Sequence, residues 1–222
     1  MATVGFIGSG KIGGTVARLS VAAGHTVILS NSRGPETLKD LVTELGPMAR
    51  ACHVDDAAED GDLVVVATPL AAFGHIPVRP VVDKAVLDAC NYYPARDGNI
   101  ADLDSGQVTS SELLQRHLPG ASVVKVFNNI FYQHLRNLGR PASDPGRSYL
   151  PIAGDNAQAT GSVAQFLDSI GYGSVDYGPL AESWRQQPGQ PVYGTVYGSM
   201  DDERGRPAGK DTVRRALAAA VR

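Results

Sequence analysis

The sequence predicts an α/β fold: a doubly wound, mainly parallel sheet with helices on both faces, followed by a short C-terminal appendage. Short runs rich in Val, Ile and Leu alternate with helical patterns along most of the 222 residues, the rhythm of strands joined by crossover helices. The central runs are apolar throughout, as expected of strands covered on both faces. A glycine-rich turn follows the first run directly and opens the first helix.

Thr3–Ile7 reads as the first strand. A helix follows from about Lys11, with Ile12, Val16 and Leu19 on one face and Gly24 at its end. Thr26–Ser30 is the second strand. Pro35 suits the first turn of a helix, where its missing N–H has no partner to lose. Leu38, Leu41, Val42 and Leu45 then recur at helical spacing, and Gly46 closes that helix. Ala49–Val54 is expected as a short third strand, with Asp55 capping a brief helix that leads to Asp62.

Leu63–Thr68 and Lys84–Ala89 follow as the fourth and fifth strands. Ser110 or Ser111 opens a helix through Leu118, and Ser122–Phe127 is the sixth strand. Pro141–Gly146 is a surface loop. Tyr149–Ala153, a helix around Ala157–Ile170 and Ser174–Tyr177 make one more strand–helix–strand unit. Residues 1–178 are thus expected to form one nucleotide-binding domain. Residues 179–222 change in texture, with a Gly/Pro/Tyr-rich stretch, a polar loop and a last helix from Asp211. They are expected to wall an acceptor pocket or to contact a second subunit.

Composition excludes several classes of partner. A net charge of −3 and the absence of a basic patch interleaved with aromatics speak against nucleic acid. No apolar run approaches the roughly 20 residues of a membrane span, and the start lacks a secretory signal. The two cysteines, Cys52 and Cys90, lie in no CxxC and cannot build a disulfide framework. A cytoplasmic protein is expected. The five histidines show no metal-ligand spacing, so no metal is expected.

Gly8-Ser9-Gly10-Lys11-Ile12-Gly13 is a GxGxxG turn between a buried strand and a helix, the context that makes this pattern a dinucleotide signature. Gly8 permits the tight turn, Gly10 lets the backbone approach a pyrophosphate, and Gly13 lets the helix lie close to the strand. The helix N-terminus then offers free N–H groups to the phosphates. A NAD-selective site places an acid at the end of the second strand to hold the ribose 2′-hydroxyl. Here Ser30-Asn31-Ser32-Arg33 stand there without an acid. Arg33 can pair with a 2′-phosphate, and Ser32 can donate to it. NADP(H) is the expected cofactor, bound in a Rossmann fold.

Ligands of such sheets lie at the carboxyl ends of the strands. That points to Thr68-Pro69-Leu70, to Asn91-Tyr92-Tyr93 and to Lys125–Ile130. No tyrosine is followed four residues later by lysine, and there is no GxSxG elbow or convincing acid pair. Hydride transfer between two ring systems needs no dedicated side-chain acid if the reacting carbons are held face to face.

With the glycine turn, Asn31-Ser32-Arg33-Gly34-Pro35, Lys125–Ile130 and Ala153-Gly154-Asp155 placed, the chain resembles the NADPH-dependent oxidoreductases of the deazaflavin coenzyme F-420. The resemblance covers about residues 3–180. It implies NADP(H) on Gly8, Ser9, Gly10, Lys11, Ile12, Ser32 and Arg33, with Thr68, Pro69 and Leu70 along the cofactor. Gly13, Asn31 and Asn91 complete the expected cofactor set. A second ring is expected near Asn128, Asn129 and Ile130, with both asparagines orienting it and Trp184 or Tyr193 walling its pocket. The resemblance also implies a homodimer. The acceptor stays open among a deazaflavin, a flavin and a small imine or carbonyl compound, the last drawing a proton from Tyr92-Tyr93. A non-catalytic NADP(H)-binding sensor is a further alternative.

Overall fold

In the computed structural model, which describes residues 1–222, the first six strands are β1 (Thr3–Ile7), β2 (Thr26–Ser30), β3 (Ala49–Ala51), β4 (Leu63–Val66), β5 (Ala85–Asp88) and β6 (Ser122–Lys125). They pair in parallel in the order β3-β2-β1-β4-β5-β6, the doubly wound arrangement. Two more strands, β7 (Tyr149–Gly154) and β8 (Gly173–Asp176), extend the sheet beyond β6. β7 runs antiparallel to β6, and β8 parallel to β7.

The crossovers are α1 (Lys11–Ala22), α2 (Lys39–Leu45), α3 (Val54–Asp60), α4 (Pro94–Asp97), α5 (Ala101–Asp104) and α6 (Ser110–His117). They are followed by α7 (Tyr132–Asn137), α8 (Ala157–Ser169) and α9 (Lys210–Ala218). Side chains alternate between the two faces of each strand, and two apolar clusters result. Val4, Phe6, Val65, Leu87 and Val124 belong to the larger one, and Ile7, Val64, Val66, Val86 and Val123 to the smaller. Burial on both faces explains the unbroken apolar runs in the sequence.

Some boundaries move. β3 stops at Ala51, and His53 rather than Asp55 precedes α3 in extended conformation. Asp55 stands inside the first turn, where its charge suits the helix dipole. Pro35–Leu38 makes a 3-10 turn ahead of α2. The helices α4, α5 and α7 have only four to six residues, too short to leave a periodic signal. No helix is long and apolar enough to cross a membrane.

Residues 179–222 pack on the same core. Val192, Val196, Tyr197, Ala208, Val213 and Leu217 join the larger apolar cluster. Tyr197 donates its hydroxyl to the Tyr149 carbonyl at 2.8 Å, and the Tyr149 N–H donates to the Ala208 carbonyl at 2.9 Å. The segment is thereby tied to β7 and brought round to the carboxyl ends of the strands.

Candidate active site

Gly8 adopts φ +97°, and a Cβ there would lie 2.4 Å from the Ala67 carbonyl oxygen. A Cβ on Gly13 would lie 2.0 Å from the Gly8 carbonyl oxygen. Glycine is therefore required at both ends of the turn. At Gly10 a Cβ would meet nothing within 4 Å. Gly10 precedes α1 with no side-chain cap, and no acid stands in the first turn. The open space faces unpaired helix N–H groups, a cradle suited to an anion.

Ser30 does not face that space. It is fully buried, and its hydroxyl donates to the Phe6 carbonyl at 2.6 Å. Its carbonyl accepts from the Gly8 N–H and the Ser9 hydroxyl, so Ser30 fastens the glycine turn to β2. Asn31 likewise shapes the loop. Its side-chain oxygen accepts from the Arg33 N–H at 2.9 Å, and its amide donates to the Thr37 hydroxyl. Ser32 and Arg33 are exposed. The one acid of the loop, Glu36, turns its carboxylate back against Gly34, and no hydrogen bond or ion pair engages the Arg33 guanidinium. An open helix N-terminus, a free guanidinium and a nearby hydroxyl fit a phosphorylated dinucleotide.

A cavity of about 400 Å³ opens beside the glycine turn. It brings together Lys11, Ile12, Asn91, Tyr93, Asn128, Asn129, Ile130 and Tyr193 from the residues expected in the sequence, and adds Arg96, Tyr132 and Gly194. Fully buried Phe127 makes the turn out of β6 at φ +65°. That conformation is rare and costly for a bulky residue, about 1–3 kcal/mol. It carries the chain from strand to site in one residue.

The two asparagines are fixed by their surroundings. The Asn128 amide donates to Asn91 Oδ1 at 2.9 Å and to the Gln186 carbonyl at 2.8 Å. The Asn129 amide donates to the Val192 carbonyl at 3.0 Å, and its own carbonyl accepts from the Gly194 N–H at 2.7 Å. These bonds seat the C-terminal segment over the end of β6. Both side-chain oxygens remain buried without a partner.

Arg96 organises the opposite wall. It pairs through two nitrogens with Asp97, donates to the Asn91 carbonyl at 2.7 Å and lies 4.9 Å over the Tyr93 ring. Burial works against the Asp97 carboxylate, yet the bonds from Arg96 and the Tyr93 N–H hold its pKa below the ordinary value. The Tyr93 and Tyr193 hydroxyls share a hydrogen bond. Burial, reinforced by that bond, raises the pKa of Tyr193. Lys11 rests 5.1 Å over the Tyr132 ring at the cavity's other rim.

Beneath the asparagines, Lys125 and Asp88 form a fully buried pair at 3.1 Å. Lys125 also donates to the Cys90 carbonyl at 2.6 Å, while Asp88 accepts from Ser111 and the Cys90 N–H. Burial pushes the Cys90 thiol well up, so it stands as an inert packing group.

Three residues of the expected set lie differently. Leu70 is 5% exposed inside the smaller apolar cluster, so its side chain packs inward rather than along the cofactor. Trp184 stacks on Arg185 and Arg222 and lines a separate hollow of about 200 Å³. Tyr92 shares that hollow, its hydroxyl bound to Asp104; only Tyr93 of the tyrosine pair reaches the cavity. Thr68 is half-buried with an unpartnered hydroxyl, and Pro69 is exposed. Arg96 and Tyr132 carried no motif in the sequence, because their place depends on folding of α4 and α7.

Fold and site together define an NADP-dependent oxidoreductase of the Rossmann type. Residues 3–92 match the family described as NADP oxidoreductase, coenzyme F420-dependent, and the chain belongs to that family. The hypothetical protein SMa0349 of Sinorhizobium meliloti is 32% identical, with 86% of this chain and 93% of that one covered at a TM-score of 0.75. A protein described as an F420-dependent NADP reductase, from Arthrobacter sp. FB24, is 24% identical over 82% of this chain and 87% of its own, at 0.69. The reductive aminase of Aspergillus terreus, in complex with NADPH and ethyl-5-oxohexanoate, shares the fold at 18% identity and a TM-score of 0.58. It is covered over 56% of its length, against 82% of this chain. No curated protein matches the chain.

Proposed function

We propose that the protein exchanges hydride between NADP(H) and the ring of a deazaflavin or flavin. The observation that carries this reading is the continuity of the site. One cavity runs from Lys11 and Ile12, at the start of α1, to Asn128, Asn129 and Ile130, at the end of β6. The family match over residues 3–92 supports the same acceptor class.

Gly8, Gly10 and the first turn of α1 would hold the pyrophosphate, and Ser32 and Arg33 the 2′-phosphate. Bound NADPH supplies a hydride and its electron pair. Ile12 and Ile130 offer apolar contact to flat rings, and their burial excludes water from the space between. Asn128 and Asn129, at the end of β6, would orient the acceptor ring from the cavity floor. Residues 179–222 wall this cavity through Tyr193 and Gly194, with residues 1–178 as the nucleotide-binding domain. A homodimer in the cytoplasm is part of the proposal.

A second reading, reduction of a small imine or carbonyl compound, is favoured by the two phenol hydroxyls in the cavity. A screen of NADPH oxidation at 340 nm with F-420, FMN and 1-pyrroline separates the readings. Oxidation with F-420 or FMN is expected. Oxidation with 1-pyrroline alone supports the second reading, and none with any acceptor leaves only an NADP(H) sensor.

A further inference from the structure

Resting on the hydride-transfer reading, we propose that Tyr93 is the proton donor to the reduced acceptor, with Tyr193 as its positioning residue. A hydride delivered to carbon leaves its electron pair on a conjugated heteroatom. That atom then needs a proton, whether it belongs to a deazaflavin ring, an imine or a carbonyl. Among the cavity's lining groups, only Lys11, Arg96, the tyrosines Tyr93, Tyr132 and Tyr193, and the amides of Asn91, Asn128 and Asn129 carry side-chain protons on polar atoms. Arg96 is held by Asp97 and does not give up a proton at ordinary pH. The amide protons of Asn128 and Asn129 are committed to carbonyls of the chain, and amides are not acids.

Lys11 and Tyr132 stand together at the other rim, whereas Tyr93 and Tyr193 adjoin the residues bonded to Asn128 and Asn129 at the acceptor end. Each phenol has one proton, and the bond between the two hydroxyls consumes only one of them. The other is free to point into the cavity. Two features decide which oxygen gives it up. The Arg96 guanidinium lies over the Tyr93 ring, so a cation stands beside the charge that the donor is left with. Tyr193 stands on the C-terminal wall, and burial holds its proton on. Tyr193 therefore keeps its O–H and donates it to the Tyr93 oxygen, a bond that strengthens when that oxygen becomes charged.

The step balances. The acceptor carbon gains a C–H bond with the electron pair released by NADPH, which is oxidised. The acceptor's π pair moves to its heteroatom, which takes the proton of the Tyr93 O–H. The O–H electron pair stays on Tyr93 as phenolate, and water returns the proton afterwards. The placement is rigid: the Tyr93 N–H donates to Asp97, and Asn129 holds Val192 and Gly194 on either side of Tyr193. The charged and titratable groups facing the pair are Arg96 and Asp97 from α4, and Lys11 and Tyr132 across the cavity.

Two measurements on the full chain test this. With tyrosine labelled at 13Cζ, each of the eight tyrosines reports its own ionisation by NMR, and Tyr93→Phe and Tyr193→Phe assign the pair. Tyr193 is expected to ionise above the ordinary tyrosine range, and Tyr93→Phe to lower its midpoint by removing the bond that holds its proton. A Tyr193 midpoint unmoved by Tyr93→Phe overturns the assignment. In single-turnover reduction of F-420 by NADPH, Tyr93→Phe is expected to slow the reaction about a hundredfold while NADPH affinity is kept. Tyr193→Phe is expected to slow it less and to displace the alkaline limb of the pH profile. A Tyr93→Phe protein as fast as its parent overturns the donor role. A parent protein that reduces none of F-420, FMN and 1-pyrroline contradicts the hydride reading itself, a distinguishable result.

Discussion

Asn91 and Asn128 exchange two hydrogen bonds across the carboxyl ends of β5 and β6: the Asn91 amide donates to the Asn128 carbonyl at 2.8 Å, and the Asn128 amide donates to Asn91 Oδ1 at 2.9 Å. A third bond from the Asn128 amide reaches Gln186. Asn128 thus joins two strand ends and the C-terminal segment at the floor of the cavity. Asn128→Ala leaves two buried or half-buried acceptors unpaired, a loss of about 1–3 kcal/mol. For a chain of this size, the thermal midpoint is expected to fall by roughly 2–4 °C for each of those kcal/mol, as measured by circular dichroism.

Gly10 and Gly13 are expected to separate binding from stability. Nothing crowds a Cβ at Gly10, whose φ of −78° suits any residue. Gly10→Ala should change unfolding free energy by under about 1 kcal/mol. It places a methyl group in the phosphate cradle, so NADPH affinity should fall by about tenfold or more. Gly13→Ala drives a Cβ to 2.0 Å from the Gly8 carbonyl oxygen and should lower both stability and binding, with about 1–3 kcal/mol lost from overpacking. Parallel urea denaturation and fluorescence titration measure the two effects.

Arg33→Ala is expected to weaken NADPH binding by about 1.5–3 kcal/mol, the worth of a charge-assisted bond. NADH binding should stay as it was, because the guanidinium has no partner in the chain to lose. Fluorescence titration with both cofactors reads the selectivity directly. Equal losses for NADPH and NADH would place the arginine elsewhere than on the 2′-phosphate.

Lys125→Met strands the Asp88 carboxylate in a fully buried setting, at a cost of about 3–5 kcal/mol. Adding Asp88→Asn removes the orphaned charge while keeping an acceptor for the Cys90 N–H, and its amide can donate to the Ser111 hydroxyl. The double variant is expected to be more stable than Lys125→Met alone. Denaturation in urea gives both free energies.

The donor half of the site was legible in the sequence because it is local. The strand, the glycine turn and the helix lie within residues 3–22, and Gly8 and Gly13 have the steric roles that their spacing implies. Ser30 opens the stretch that stands where a NAD-selective acid would, but it ends a strand and its hydroxyl points inward to the Phe6 carbonyl. The acceptor half is non-local. Tyr93 and Tyr193 stand 100 positions apart, and their meeting depends on Asn129 seating the C-terminal segment. Trp184 and Tyr193 look equally eligible as pocket walls in the sequence. Only packing of the segment turns one to the cavity and the other onto Arg222. The antiparallel entry of β7 likewise left no mark in the strand pattern.

Direct hydride transfer from NADPH to a ring acceptor is tested by anaerobic stopped-flow mixing of the NADPH-loaded protein with F-420 and, separately, with FMN. Reduction of at least one is predicted to be faster than by free NADPH, and slower when the transferable hydrogen of the cofactor is deuterium. Reduction of neither acceptor above the rate of free NADPH would contradict it.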